Sequence, residues 1–137
     1  MPVDQRLGKA VLCISNDPIH LNLRCALLKE HGWHVSSAGS GHEGVIRFGQ
    51  GRVDAVILDL NDDGSESALI AGEIKRLSPG VPLIMLVVPG RVLAEGATKQ
   101  ADAVVEKQDE IEGLLAALKN VTGAVRSPGT IRPPISA

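Results

Sequence analysis

The strongest constraint on the fold is a regular alternation between short apolar runs and longer segments that carry helix signals. Each run has five or six residues, which is the usual length of a strand. The third and fourth runs are almost continuously apolar, as is typical of parallel strands that helices cover on both faces. The runs lie at residues 10–14, 33–38, 53–58, 83–88 and 101–105. This pattern predicts an α/β domain built on one doubly wound, five-stranded parallel sheet.

The order of the strands follows from the handedness of the connections. A strand, a crossover helix and a parallel strand almost always form a right-handed unit. For five strands this leaves few arrangements, of which the flavodoxin-like order 2-1-3-4-5 is common at this chain length. We therefore expect strands one and three to lie side by side at the centre of the sheet.

The first predicted helix has clear start and stop signals. It begins at Asn16-Asp17-Pro18, where a capping residue precedes a proline in the first turn, and it ends at Gly32. We expect its apolar residues to face the core. They are Ile19, Leu23, Ala26 and Leu27.

Four further helices are predicted between and after the remaining runs. The second begins at the capping-box spacing from Ser40 to Glu43, and the third runs from about Ser67 to Leu77. A fourth is expected at about Val92 to Lys99. The fifth begins at Asp109-Glu110-Ile111-Glu112, with the aspartate as its cap.

Composition narrows the classes of function. The chain of 137 residues has the size of one domain, which we place at residues 9–121 between an N-terminal extension, 1–8, and a tail or linker, 122–137. With one Trp, one Phe, no Tyr and a net charge of -2, no direct nucleic-acid binding is expected. The longest apolar run, 83–88, is too short to span a bilayer and no signal-peptide core is present, so a cytoplasmic protein is predicted.

The cysteines and histidines do not form a recognisable metal or redox motif. Cys13 and Cys25 lack the spacing of either kind of site, and we expect reduced thiols. The four histidines likewise show no zinc-ligand spacing.

Polar residues follow three of the predicted strands where each strand ends. Ser15-Asn16-Asp17 follows the first, Asp59 and then Asn61 follow the third, and Glu106-Lys107 follows the fifth. Ligands of open parallel sheets bind at this carboxyl edge, beside the point where the strand order reverses. A carboxylate directly after an apolar strand is costly to bury without a partner. Spacing alone leaves two interpretations open, a functional site or merely solvated strand ends.

The order of several motifs resembles the receiver domain of two-component response regulators from about Lys9 to Val121. The motifs are Asp54-Ala55-Val56-Ile57-Leu58-Asp59, Val81-Pro82-Leu83-Ile84 and Ala101-Asp102-Ala103-Val104-Val105-Glu106-Lys107. In addition, the segment 38–45 is similar to the family stretch Ala-x-Ser-Gly-x-Glu-Ala-Leu.

The resemblance implies a phosphorelay function. Asp59 stands where the family has its phosphoacceptor, which takes a phosphoryl group from a sensor histidine kinase or a phosphotransfer protein in the presence of Mg²⁺. Lys107 stands where the family has the lysine that pairs with the phosphoryl oxygens. We expect no turnover of a separate substrate, at most self-phosphorylation and dephosphorylation at Asp59.

Several supporting positions depart from the family. Ser15-Asn16 replaces an acidic pair, which leaves a weak Mg²⁺ site built from Asp17, Asn16, Asp59 and the carbonyl of Asn61, with Asp62 or Asp63 nearby. At the two switch positions, Val87 replaces a hydroxyl residue and Val104 replaces an aromatic one. Gln108 stands where the family has proline. Any phosphorylation signal should therefore be weaker or transmitted differently.

Two other functions remain open from the sequence. The domain can be a phosphorylation-independent interaction module, as the five replacements favour. Alternatively, Gly39, Gly41 and Gly44 match the Gly-x-Gly-x-x-Gly pattern of dinucleotide-binding loops. A homodimer or partner contact is expected on the face of the predicted fourth helix, fifth strand and fifth helix. Candidate charges on that face are Arg91, Lys99, Asp102 and Glu106.

Overall fold

The computed structural model describes residues 9–107 and 110–122, which form a three-layer α/β domain. The strands are β1 (Ala10–Ser15), β2 (His34–Ala38), β3 (Ala55–Asp59), β4 (Leu83–Val87) and β5 (Ala103–Glu106). The helices are α1 (Pro18–Glu30), α2 (Gly41–Phe48), α3 (Ser65–Leu77) and α4 (Glu110–Val121). All neighbouring strands are parallel and their order is β2-β1-β3-β4-β5. The predicted fold class and strand order are confirmed.

The sheet separates two apolar cores. One core joins Val11 and Cys13 of β1 and Ala55 and Ile57 of β3 to side chains of α1 and α4. The other lies on the opposite face and includes residues of α3. Because successive side chains of a strand alternate between faces, Ser15 and Asp59 belong to the first face. They are also register partners at the carboxyl ends of the two central strands.

The prediction for the core face of α1 is wrong. Of the four apolar residues assigned to it, Ile19 is 77% exposed and Leu23 is 57% exposed. The buried residues are Leu21, Arg24 and Leu28, spaced three and four residues apart along one side of the helix. An arginine faces the sheet because it forms an ion pair there, and an apolar row is left on the surface instead.

The predicted fourth helix is absent from the structure. The segment between β4 and β5, residues 88–102, consists of turns and irregular chain. Gly90 and Gly96 adopt φ values of 79° and 75°, which lie in the left-handed region and interrupt a right-handed helix. The segment is attached to the loop after β3, since Ala94 donates its backbone N–H to the carbonyl of Asp63 at 2.8 Å.

The other helix starts agree with the sequence prediction to within two residues. Ser40 caps α2 by accepting the N–H of Glu43 at 3.1 Å. α3 begins two residues earlier than predicted because carboxylates of the preceding loop accept its first backbone N–H groups. α4 begins at Glu110, and the predicted cap Asp109 lies outside the described residues. So do the predicted N-terminal extension, Gln108 and all of the predicted tail beyond Thr122.

No described helix is long and apolar enough to cross a membrane.

Two glycines of α2 permit close packing of that helix. A Cβ atom on Gly41 would lie 2.6 Å from Cγ1 of Ile70, and one on Gly44 would lie 2.7 Å from Cγ1 of Ile14. By contrast, Gly72 in the middle of α3 has open space where a Cβ would stand. The glycines of α2 are therefore required by contacts with α3 and β1.

We predict opposite effects for two glycine substitutions. Gly44→Ala should lower the free energy of unfolding by about 1–3 kcal/mol because the new methyl group overlaps Ile14. Gly72→Ala should raise it by about 1 kcal/mol, because alanine has the higher helix propensity and nothing obstructs its side chain. Urea denaturation of the two variants measures both effects. Equal stabilities would contradict the packing role of Gly44.

Candidate functional site

The centre of the candidate site is the buried carboxylate of Asp59, which is 1% exposed. Its Oδ2 atom accepts hydrogen bonds from Nη2 of Arg24 at 3.1 Å and from Oγ of Ser15 at 3.3 Å. Its Oδ1 atom lies 2.6 Å from Nζ of Lys107 in an ion pair. The predicted meeting of Asp59 and Lys107 at one edge of the sheet is therefore present, and a second cation joins them.

The two cations reach the carboxylate from different directions. Arg24 comes from the buried face of α1 and is 1% exposed, so its ion pair with Asp59 is sequestered from solvent. Lys107 follows β5 directly, and its side chain is 22% exposed. One carboxylate and two basic side chains give the group a formal net charge of +1. The solvent side of the carboxylate is thus covered by a partly exposed lysine.

Ser15 connects the carboxylate to the start of α1. Its hydroxyl donates to Asp59 and accepts the backbone N–H of Asp17 at 3.1 Å. The side chain of Asp17 turns toward the helix, where it accepts the N–H groups of Ile19 at 3.1 Å and His20 at 3.3 Å. It also lies 2.7 Å from Nδ1 of His20. The hydrogen bond from the backbone of His20 is the main cause that lowers the pKa of Asp17.

The loops around the site are tied to one another by polar contacts. Oδ1 of Asn16 accepts the N–H of Asn61 at 3.2 Å, which joins the ends of β1 and β3. Arg91, from the segment between β4 and β5, donates to Oδ1 of Asn61 at 3.3 Å and to the carbonyl of Asp62 at 2.8 Å. Three loops at the carboxyl edge are thereby connected through side chains.

Asp62 and Asp63 both serve the start of α3. Asp62 accepts the N–H groups of Gly64 at 3.0 Å and Glu66 at 2.8 Å, while Asp63 accepts both the hydroxyl and the N–H of Ser65. The hydroxyl of Ser65 is the main cause that lowers the pKa of Asp63. Both carboxylates are oriented by these bonds toward α3.

These contacts do not suit the predicted Mg²⁺ ligand set. Asp17 caps α1, Asn16 holds the loop after β3, and both oxygens of Asp59 contact cationic side chains. Mg²⁺ requires near-octahedral oxygen ligands, usually with one or two carboxylates directed at the ion. Over the part of the chain that the structure describes, no three His, Cys, Asp or Glu side chains are grouped to hold a metal. The residues that were expected to bind Mg²⁺ therefore do not fit it.

Both switch positions carry apolar side chains, which have no polar atom that could bond to Asp59, Arg24 or Lys107. Val87 is half-buried and pairs in register with Glu106 across β4 and β5. Val104 is 47% exposed on the outer strand. Val87 lines a cleft beside the site that also includes Met85, Arg91 and Lys107.

Arg24 is the site residue that sequence reasoning did not identify. It occupies the position between Leu21 and Leu28 on one side of α1, where an apolar residue would be expected. An arginine at a core position requires a buried anion as its partner, and Asp59 is the carboxylate at the end of the adjacent central strand. That periodicity is the signal that could have found it.

The glycine motif of α2 does not leave a phosphate-binding loop open. Glu43 accepts the N–H of Gly39 at 2.8 Å, and this bond is the main cause that lowers the pKa of Glu43. A carboxylate of the chain thus occupies the start of the helix, where a dinucleotide would need free N–H groups. With Gly41 and Gly44 accounted for by packing, the contacts favour the receiver interpretation of this motif.

The two cysteines are free thiols, as expected. Cys13 is buried in β1, and Cys25 on α1 is half-buried beside it. A hydrogen bond between the two thiols is the main cause that lowers the pKa of Cys25 to about 7, with the nearby charges of Lys29 and Arg24 adding to the effect.

Two of the four charges predicted for a partner face have partners within the chain. Arg91 holds the loop after β3, as described above. Asp102 accepts Nζ of Lys75 at 2.7 Å and the N–H of Leu83 at 2.8 Å. Lys99 and Glu106 are exposed. The dimer contact stays a prediction.

We predict strong coupling between Arg24 and Asp59 in folding. Either Arg24→Leu or Asp59→Leu should lower the free energy of unfolding by about 3–5 kcal/mol, because each disrupts a buried ion pair. The double variant should lose less than the sum of the two, because neither charge is then left behind. Guanidinium denaturation of the four proteins gives the coupling energy. Strictly additive losses would show that the two charges do not stabilise each other.

Comparison with known proteins shows that many solved structures share this architecture. No family model matches the sequence. Residues of the chain are 35% identical over 91 positions to the transcriptional regulatory protein GlrR of Escherichia coli K12, a match that covers 66% of this chain and 20% of that protein. TcrX of Mycobacterium tuberculosis is 24% identical over 111 residues, 80% of this chain and 47% of TcrX. The chain thus spans less than half of these relatives.

Solved structures give a fuller overlap. The response regulator TrrA of Thermotoga maritima, crystallised in complex with Mg²⁺ and BeF, has a TM-score of 0.74 at 26% identity and covers 82% of this chain and 98% of its own. The receiver domain of the sensor histidine kinase PA1611 of Pseudomonas aeruginosa, with magnesium in its active-site cleft, has a TM-score of 0.71 at 21% identity, covering 85% and 98%. With its order of strands and its sequence similarity to response regulators, this chain is a receiver domain of the response-regulator type.

Proposed function

We propose that this domain accepts a phosphoryl group on Asp59 from a phosphohistidine and signals through the loops at the carboxyl edge of the sheet. The observation that carries the proposal is the contact of 2.6 Å between Nζ of Lys107 and Oδ1 of Asp59. A carboxylate can act as a nucleophile toward phosphorus, and an adjacent ammonium can neutralise the charge that is transferred to it. TrrA gives further support, because this similar response regulator was crystallised in complex with Mg²⁺ and BeF.

The geometry suggests how the transfer proceeds. An oxygen of Asp59 forms a bond to phosphorus while the bond between phosphorus and the donor's histidine nitrogen breaks, and the imidazole leaves with that electron pair. Oδ1 is the oxygen on the side of the partly exposed Lys107, whereas Oδ2 is held by Arg24 and Ser15. Lys107 therefore moves from the carboxylate to the incoming phosphoryl oxygens, and the chain does not need to unfold around the site.

Transmission of the signal must use contacts other than the usual switch pair. Val87 has no hydroxyl with which to bind a phosphoryl group, and a hydrogen bond to a charged group contributes about 1.5–3 kcal/mol. Arg91 is the alternative, since it joins the loop after β3 to the segment between β4 and β5. A phosphoryl group on Asp59 would compete for Arg91 and release that segment.

The exposed apolar row on α1, formed by Ile19 and Leu23, supports the proposal that the phosphodonor is a protein. Ile19 and Leu23 are exposed one turn apart. α1 begins at Pro18, directly after Asp17, whose backbone N–H donates to the hydroxyl of Ser15 at the site. A sensor histidine kinase or phosphotransfer protein that covers this row would present its histidine near Asp59. A homodimer through β5, α4 and the segment 88–102 remains a separate proposal, as does the absence of turnover beyond self-phosphorylation and dephosphorylation.

A second function, a phosphorylation-independent interaction module, is favoured by one specific observation. Asp59 is 1% exposed and already contacts two cations, which shield it from an incoming donor. In that case Asp59 would be a structural anion, and the receiver fold would present a fixed surface to its partner.

Chemical phosphorylation distinguishes these two functions. With phosphoramidate and Mg²⁺, the intact protein should gain the mass of one phosphoryl group, which Asp59→Asn should lose. Asp63→Asn is the matched control, because that carboxylate is exposed in the same region and should leave the adduct unchanged. A wild-type protein without an adduct would favour the interaction module.

Substitution of the apolar row should separate protein donors from small donors. We predict that Leu23→Glu slows transfer from a phosphorylated histidine phosphotransfer domain on the order of tenfold, because one charge in an apolar contact costs more than about 1.4 kcal/mol. Phosphoramidate labelling should stay at the wild-type rate. Leu69→Glu, which changes another exposed leucine on α3, is the control. A parallel loss with both donors would argue against docking on α1.

A further inference from the structure

We propose that Arg24 supplies, from inside the domain, the positive charge that a divalent cation would otherwise provide, so that Asp59 accepts a phosphoryl group without a metal ion. This inference rests on the proposed function and adds to it that the transfer does not depend on a divalent cation. It starts from the disagreement described above between the ligands that Mg²⁺ requires and the side chains that surround Asp59.

The position of Arg24 suits this role. Its guanidinium donates to Oδ2 of Asp59 at 3.1 Å, and the side chain is 1% exposed on the face of α1 that packs against the sheet. A guanidinium keeps its charge when buried and presents several N–H donors in one plane, which suits carboxylate and phosphate oxygens. Its charge acts in a region shielded from water, where it is screened less than at the surface.

The charges around the acceptor agree with the replacement of a metal. In the family site part of the cation's charge offsets the acidic pair; with neutral Ser15 and Asn16 there is no such pair to offset, so a positive charge near the acceptor is available in full to the phosphoryl group. Arg24 and Lys107 then bring two positive charges to the acceptor. A phosphoryl group carries about -1.5 to -2 charge at neutral pH. The two side chains are therefore sufficient to balance an acyl phosphate on Asp59.

The hydrogen bonds of Ser15 and Asn16 also indicate that these two positions, which are acidic in the family, have a different role in this chain. Ser15 donates to Oδ2 of Asp59 beside Arg24, so the first of the two positions holds the acceptor in place. Asn16 holds the backbone of Asn61 after β3. At both positions a neutral side chain holds the acceptor or its loop in place, and Arg24 of α1 carries the positive charge.

The step remains balanced without a metal. With phosphoramidate as donor, Asp59 forms a bond from oxygen to phosphorus, the bond from phosphorus to nitrogen breaks, and protonated nitrogen leaves as ammonia. The transferred oxygens gain Lys107 as their partner, while Arg24 stays on Oδ2.

The test is phosphoramidate labelling of the full chain in EDTA and in Mg²⁺, followed by intact mass. We expect the same rate of adduct formation in both, and a loss on the order of a hundredfold for Arg24→Leu, as for the removal of one preorganised donor to the reacting group. Arg24→Lys should recover part of the rate because it restores the charge. Arg47→Leu, which removes an exposed arginine from α2, should not change it.

The outcomes separate this inference from the proposed function. An adduct that forms only with Mg²⁺ would overturn the inference and keep the phosphoacceptor role. No adduct in either buffer would overturn both. Circular dichroism shows whether Arg24→Leu is folded, and if it is not, the wild-type comparison of EDTA with Mg²⁺ still decides.

Direct metal binding gives an independent readout. We expect Mn²⁺ to leave the backbone NMR resonances of Ser15, Asn16 and Asp59 unbroadened in the wild-type protein. A variant with Ser15→Asp, Asn16→Asp and Arg24→Leu should gain Mn²⁺ broadening at these positions and become dependent on Mg²⁺ for labelling. Broadening of the wild-type resonances at micromolar Mn²⁺ would contradict the inference.

Discussion

The burial of one carboxylate at the end of β3 governs the arrangement of the site. An unpaired charge in that position would cost several kcal/mol, so Asp59 requires cations within reach. Arg24 and Lys107 meet that requirement from opposite sides of the edge, one from the core and one from the surface. Because the pair with Arg24 lies between α1 and the sheet, the same interaction sets how α1 is oriented around its own axis.

The orientation of α1 has a consequence for recognition. With Leu21, Arg24 and Leu28 turned toward the sheet, the apolar residues Ile19 and Leu23 face solvent beside the site. A buried charge and an exposed apolar row are therefore two results of one rotation of the helix. The proposed donor surface and the proposed internal cation depend on each other structurally, although each is tested by a different substitution.

The carboxylates near Asp59 show why a list of acidic residues does not define a metal site. Asp17, Asp62 and Asp63 are close in sequence to the strand ends, but each accepts backbone N–H groups at the start of a helix. Helix starts need such acceptors because their first N–H groups have no partner within the helix. The carboxylates are therefore oriented away from the role that their spacing suggested, and the positive charge at the acceptor comes from side chains.

Apolar periodicity and capping residues determined the α/β class and four of the five predicted helix starts, because these depend on local pattern. The handedness of the connections and the common edge of parallel strands led to the strand order and to the meeting of Asp59 with Lys107. Three features depended on tertiary structure. The buried face of α1 was decided by the pairing of Arg24 across 35 residues of sequence. The region after β4 was decided by left-handed glycines and by contacts with the loop after β3. Tertiary structure also decided the hydrogen-bond partners of Asp17, Asp62 and Asp63. Each carboxylate could either cap a helix or face the site, and only the positions of its partners in space determine which.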